Sequence, residues 1–125
     1  MLLLESNIFI YSILPEHKAL RDWMMKQEFA ASEISMVEVL GYHRLSEEDA
    51  PKLEDLFNMA KVLPMSRDIV DRAIHLRRQR KMGLADSFIA ATALDYDIQL
   101  VTRNVSDFDW MEDLKLLNPM QDDKE

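Results

Sequence analysis

An acidic residue stands directly behind an unbroken apolar run at the start of this chain. Met1–Leu4 lead into Glu5, and Ser6-Asn7 separate it from a second apolar run, Ile8–Tyr11. Consecutive apolar residues without alternation read as a short strand buried on both faces, the pattern of a parallel sheet. Glu5 is then delivered to the carboxyl edge of that sheet, where ligands bind in open α/β folds. A carboxylate in such a place is hard to read as a chance surface charge.

Further along, the pattern alternates between helix and strand. Asn7–Ile13 is apolar enough to begin a helix, which Pro15 interrupts, and Leu20, Trp23, Met24 and Phe29 follow at roughly helical spacing. Phe29–Ile34 reads as a second strand. Ser35-Met36-Val37-Glu38 has the form of a capping box, followed by apolar Val39 and Leu40. Ser46-Glu47-Glu48-Asp49 opens another helix with acids in its first turn, and Leu53, Leu56, Phe57 and Ala60 give it an inward face. Lys61–Met65 reads as a third strand. Ser66 caps a helix that turns Ile69, Val70, Ala73, Ile74 and Leu76 inward, and Gly83 is expected to end it. Leu84–Asp95 is a helix whose Ala85, Ala90, Ala91 and Ala93 permit close packing on a sheet. Ile98–Thr102 and Leu114–Leu117 are the remaining strands, the last closed by Asn118-Pro119. The expected architecture is an α/β three-layer sandwich with a short, mostly parallel central sheet flanked by helices. Gly41 and Gly83 are the only glycines, and no linker or repeat is visible. One domain is therefore expected over residues 1–119, with an acidic tail over residues 120–125.

On this topology Glu5, Glu38, Asp86 and either Asn104 or Asp107 can converge on one edge of the sheet. Clustered carboxylates repel one another and persist where a cation neutralises them. Hard oxygen donors favour Mg2+ or Mn2+, and the chemistry such ions serve is phosphodiester hydrolysis. Three of these acids also have a plainer reading. Glu38 fits as the reciprocal member of its capping box, Asp86 as a complement to a helix N-terminus, and Asp107 as one acid in a polar loop.

Net charge is -8, which argues against a general nucleic-acid coat protein. Seven of the 15 basic residues nevertheless fall in one stretch: Lys61, Arg67, Arg72, Arg77, Arg78, Arg80 and Lys81, with His75 among them. Arg77, Arg78, Arg80 and Lys81 are the candidates for RNA backbone contacts; a solvated helix face is the other reading of the stretch. The absence of cysteine excludes disulfides and thiolate zinc sites and fits a reducing cytoplasm. No apolar run approaches the roughly 20 residues of a membrane span, and no basic segment precedes an apolar one as in a signal peptide. A cytoplasmic protein without membrane contact is expected.

Five segments together resemble the PIN-domain ribonucleases, from Met1 to about Pro119. Leu4-Glu5-Ser6-Asn7-Ile8-Phe9-Ile10-Tyr11 resembles the family's opening Leu-Asp-Thr-Asn-Ile. Ile34-Ser35 through Val37-Glu38-Val39-Leu40-Gly41 is similar to the segment with its second acid. Gly83-Leu84-Ala85-Asp86-Ser87-Phe88-Ile89-Ala90-Ala91-Thr92-Ala93 resembles its third-acid helix. Leu100-Val101-Thr102-Arg103-Asn104 to Asp107-Phe108 resembles the fourth block, and Leu116-Leu117-Asn118-Pro119 the closing strand.

The resemblance implies a PIN-like fold and a Mg2+- or Mn2+-dependent endoribonuclease, usually a homodimer. It also implies the toxin of a toxin–antitoxin pair acting on structured RNA of the tRNA or rRNA class. A cognate antitoxin would lay a peptide across the active site, often placing an Arg among the acids. By position, Glu5, Glu38, Asp86 and Asp107 would be the catalytic and metal-site acids, with Asn104 as an alternative to Asp107. Ser6 would orient the site, Asn7 brace the first acid's loop, and Arg103 touch the scissile phosphate or pair with a nearby acid. Trp23, Met24, Met25, Leu40, Tyr42, Leu45 and Met59 are interface candidates that fit a core equally well.

Glu5 departs from the family's usual Asp. The extra methylene carries its carboxylate about 1.5 Å further out, and a shift of about 1 Å can cost 10²-fold in rate. Glu5 is then a working variant, the mark of an attenuated enzyme that mainly binds antitoxin or RNA, or an engineered change. A different acidic α/β metal protein, a small phosphatase or a receiver domain, is the rival fold reading. Against a receiver, Arg103-Asn104 occupies the place after a late strand where that domain needs a Lys.

Overall fold

The computed structural model describes residues Met1–Met120. Its centre is a five-stranded sheet in the order β3-β2-β1-β4-β5, with every pairing parallel. The strands are β1 (Leu2–Leu4), β2 (Phe29–Ser32), β3 (Lys61–Leu63), β4 (Gln99–Val101) and β5 (Leu116–Leu117). Six α-helices connect them: α1 (Ser6–Ser12), α2 (Lys18–Met24), α3 (Glu33–Leu40), α4 (Asp49–Met59), α5 (Arg67–Gln79) and α6 (Leu84–Tyr96). Single 3-10 turns occupy Pro15–His17 and Val105–Asp107. The strand order reverses at β1: the chain first steps from β1 to β2 and β3, then returns to β4 and β5 on the other side. Such a reversal opens a crevice at the carboxyl ends of the two strands that flank it.

Successive strand residues point to opposite faces, and that alternation builds two cores. Leu3, Ala30, Leu63 and Leu100 pack with Ile69, Ala73, Leu76 and Ile89 of α5 and α6. Leu4, Ala31 and Val101 pack with Ile8, Phe9, Leu20, Met24, Val39, Leu53 and Phe57 on the opposite face. Small residues let the layers approach: Ala30, Ala31, Ala90 and Ala91 are all fully buried. Phe9 anchors the second core, stacked on Phe57 at 4.3 Å and edge-on to Phe29 at 6.2 Å. Burying both faces of β1 explains why Met1–Leu4 carries no alternation.

Several local expectations are corrected. β2 stops at Ser32, whose side chain accepts from the Ile34 N–H and caps α3. Ser35 therefore lies inside the helix and the capping box around Glu38 does not form. Gly83 does not stop α5. That helix ends at Gln79, and Gly83, extended at φ -65 and ψ 153, precedes α6 instead. The stop for α6 is Asp97 at φ 53, a left-handed conformation that Asp tolerates better than most residues. Within α5, Ile69, Ala73 and Leu76 are buried, whereas Val70 is half-buried and Ile74 is 45% exposed. Met24 is core and not interface. Met120, placed in the tail by sequence, is buried with Leu4 and Val101; residues 121–125 lie outside the described residues.

Ser66 caps α5 as expected, accepting from the Ile69 N–H at 3.2 Å. Replacing it leaves that donor unpaired at the start of the helix that covers one sheet face. Ser66→Ala is expected to lower the unfolding free energy by about 1 kcal/mol in urea titration. An unchanged midpoint would mean that the cap carries no weight.

Candidate active site

Strand register assembles the site. Leu4 lies beside Val101 in the parallel β1–β4 pair, so the next residues, Glu5 and Thr102, emerge side by side. The Glu5 N–H donates to the Val101 carbonyl at 3.0 Å, which keeps the two strands joined to their last residue. On the other flank Leu3 pairs with Ala30, which brings Ser32 and the start of α3 alongside.

Glu5 is only 4% exposed. It caps α1, with Oε2 accepting from the Asn7 N–H at 3.1 Å. Its Oε1 accepts from the Thr102 hydroxyl at 3.3 Å, and the Thr102 oxygen in turn accepts from the Asn104 N–H at 3.0 Å. Ser6 Oγ donates to Glu38 Oε1 at 2.6 Å and lies 3.0 Å from the Ser35 hydroxyl. Helix α3 thus delivers Glu38 to the edge from one side, while the first turn of α6 delivers Asp86 from the other. Glu5, Ser6, Asn7, Glu38 and Asp86 line one pocket of about 450 Å3. Its far wall is largely apolar, with Ile10, Ile13, Leu14, Tyr42, Leu45 and Leu53. A second depression of about 440 Å3 shares Glu38 and Asp86 and extends over Val37, Gly83 and Leu84.

The acids press on one another. Burial is the main force raising Glu5, from an ordinary 4.5 to about 7, with the charges of Asp86 and Glu38 pushing the same way; the Asn7 N–H and the Thr102 hydroxyl oppose it. Asp86 is also raised, chiefly by burial and then by the nearby charges of Asp107 and Glu38. Among the described residues none of these four acids forms an ion pair.

Other sequence candidates lie around this centre. Asp107 sits in the 3-10 turn beyond β4, facing Asp86 closely enough to raise it, but it does not line the pocket. Asn104 opens that turn, tied through its backbone to Thr102. Arg103 does not pair with an acid among the described residues; its guanidinium lies 5.4 Å from the centroid of the Tyr11 ring. Arg77, Arg78 and Lys81 line a groove of about 470 Å3 that reaches Leu84, the residue it shares with the Glu38–Asp86 depression. Arg80 turns away from that groove to lie over Trp110. Arg67 and Arg72 pair with Asp71 and Asp95. Of the interface candidates, Tyr42 and Leu45 line the acidic pocket, Met25 and Met59 are exposed, and Trp23 and Leu40 are half-buried.

Two polar residues of the network escaped the sequence reading in this role, Thr102 and Ser35. Both are fully buried and bonded to site groups. The available clue was positional: Thr102 follows its strand as Glu5 follows β1.

The donor set fits a hard divalent cation. It is all oxygen, it converges on one pocket, and Arg44, which also lines that pocket, forms no ion pair with its acids among the described residues. As placed, no three acids among the described residues stand close enough together to bind an ion jointly.

A family model for the PIN domain matches residues 2–111. Ribonuclease VapC10 of Mycobacterium tuberculosis is 33% identical over 124 aligned positions, spanning 92% of this chain and 91% of that protein. A toxin–antitoxin complex from Klebsiella pneumoniae contains a chain that superposes with TM-score 0.78 at 24% identity, covering 95% of this chain and 98% of that one. The DNA-bound VapBC of Salmonella typhimurium superposes with TM-score 0.81 at 18% identity, covering 93% and 96%.

The raised carboxylates set a pH dependence. Between pH 4.5 and about 7 the folded chain holds a proton on Glu5 that the unfolded chain has released. Stability therefore falls as pH rises through that window, by on the order of 3 kcal/mol from this group, and Asp86 adds in the same direction. In buffer free of divalent ions, Glu5→Gln is expected to flatten the decline between pH 4.5 and 7 in urea unfolding. Equal slopes in the two chains would contradict it.

Proposed function

Because this chain belongs to the PIN-domain family, we propose that it is a divalent-metal-dependent endoribonuclease, the toxin of a cytoplasmic toxin–antitoxin pair. The carrying observation is that Glu5, Glu38 and Asp86, from three separate elements, line one pocket with no ion pair to neutralise them. Glu38 and Asp86 would hold Mg2+ or Mn2+ with Glu5, and Asp107 or Asn104 would complete the set. When bound, such an ion activates water and stabilises charge gathering on phosphorus.

The chain's own groups prepare that edge. Ser6 fixes the orientation of Glu38 through a hydroxyl hydrogen bond. Thr102 and the Asn7 N–H hold the two oxygens of Glu5. Arg77, Arg78 and Lys81 border the groove that joins the acidic edge at Leu84, a path suited to RNA phosphates. We assign the substrate to structured RNA of the tRNA or rRNA class, read at an unpaired loop, because side chains cannot read the deep major groove of duplex RNA.

The apolar wall formed by Ile10, Ile13, Leu14, Tyr42, Leu45 and Leu53 beside the acids suits an amphipathic antitoxin segment that extends an Arg to the carboxylates. The Klebsiella pneumoniae chain, too, comes from a complex of toxin with antitoxin. Two copies of the chain are proposed to pair, with the exposed Met25 and Met59 as the interface candidates that lie outside the acidic pocket and the basic groove.

One observation favours a second reading, that of an attenuated enzyme. Both Glu5 oxygens already accept hydrogen bonds from the protein, and the acids do not close to a shared ion position. A chain of this kind would mainly bind antitoxin or RNA.

Asp86→Ala is expected to lower Mn2+-dependent cleavage of total tRNA and rRNA at least about 100-fold with an unchanged circular dichroism spectrum. Normal cleavage by the folded variant would overturn the assignment. Glu5→Asp separates the two readings: cleavage with Mg2+ rises about 10- to 100-fold if the longer side chain attenuates the enzyme. Equal, full activity in both chains would remove the attenuated reading.

A further inference from the structure

Beside the acidic edge lies an aromatic site that phosphodiester chemistry leaves unused. Trp110 follows Asp107 by three residues, and its indole N–H donates to the Asp107 main-chain carbonyl at 3.1 Å. The ring is thereby tied to the loop that carries the candidate fourth acid. Arg80, extended just beyond α5, places its guanidinium carbon 5.4 Å from the centroid of the Trp110 ring. Arg80 is exposed and, among the described residues, makes no ion pair. Trp110 is half-buried, packed against the α5–α6 core, and walls a cavity of about 770 Å3 together with His75, Gln79, Glu112 and Asp113.

These groups match the parts of a nucleotide. An indole face and a guanidinium plane both stack nucleobases. His75, Gln79 and the two carboxylates offer donors and acceptors to the edge of a base, and amino-bearing edges suit the carboxylates. Carboxylates, Asp71 and Asp97 among them, repel phosphate from the cavity, and Arg72, which lines it, is paired with Asp95. Arg80, outside the cavity lining and over Trp110, is the unpaired cation beside the ring among the described residues. The indole hydrogen bond and the core packing hold the ring before any ligand arrives, so little ordering cost remains at binding.

We propose that Trp110 and Arg80 form a stacking site for one unpaired base of a single-stranded RNA segment that passes the loop carrying Asp107. The proposal rests on the ribonuclease reading and narrows its substrate: the RNA presents an extruded base, and a continuous duplex does not bind this site.

Trp23→Phe leaves Trp110 as the only tryptophan. In that background, short single-stranded homopolymers of A, C, G and U, added in buffer free of divalent ions, are expected to quench Trp110 fluorescence. A duplex of equal length is expected to leave it unchanged. Arg80→Ala and Trp110→Leu are expected to weaken binding of a labelled single strand about tenfold by anisotropy, the loss of one stack, with Trp110→Phe retaining most of it. Arg80 is exposed, so Arg80→Ala keeps the test open if Trp110→Leu does not fold by circular dichroism. Unchanged emission, equal quenching by duplex, or normal affinity in the folded variants overturns the site. Because the assay needs no metal, lost quenching beside intact cleavage sinks the stacking site alone. Retained quenching in a chain that cleaves nothing supports the site while the nuclease reading falls.

Discussion

Leu4 and Val101 lie side by side in parallel strands, and the chemistry of the carboxyl edge follows from that pairing. It seats Glu5 beside Thr102 at the point where the strand order reverses. It also fixes the height at which α3 and α6 must present Glu38 and Asp86. A one-residue slip of β1 would turn Leu4 out of its core and Glu5 into it, so the apolar residues that build both cores also hold the acids in place. Hydrophobic packing here does the positioning, and it tolerates an electrostatic penalty at the edge.

That penalty is visible in the carboxylates. Glu5 is driven up to about 7 by burial and by its acidic neighbours, and Asp86 is raised by burial, Asp107 and Glu38. A fold selected for stability alone would place a Lys or Arg among them. Arg44 lines the same pocket but, among the described residues, pairs with none of the acids. Carboxylates raised by burial and by one another at a crevice mark a candidate functional site. Arg77, Arg78 and Lys81 sit to one side, lining the groove that reaches Leu84.

Much of this was legible in the sequence because it depended on local pattern. The unbroken run Met1–Leu4 announced a strand buried on both faces, and Glu5 directly after it announced the edge. What was not legible depended on register or on rotation about a helix axis. Ser35 has the capping-box sequence and Ser32 does not; the choice of Ser32 follows from where β2 stops pairing with β3. That choice moves Ser35 into the buried network with Ser6 and frees Glu38 from a capping role. Ile74 reads as inward by spacing, yet it falls on the side of α5 that faces the basic groove. Thr102 looked like ordinary strand sequence because its importance comes from a neighbour 97 residues away. Of the two roles offered for Arg103, pairing with an acid does not occur among the described residues, and its guanidinium lies over Tyr11, a residue far away in the chain.

The central claim is that the buried Glu5, with the half-buried Asp86 and the exposed Glu38 beside it, forms the seat of a divalent ion. Titration calorimetry with Mn2+ near pH 6.5, run in two buffers of different ionisation enthalpy, tests it most directly because it counts protons as well as heat. The account predicts saturable binding accompanied by proton release, as the cation displaces the proton that burial, aided by the neighbouring acids, keeps on Glu5. Absence of binding, or binding that releases no protons, would contradict it.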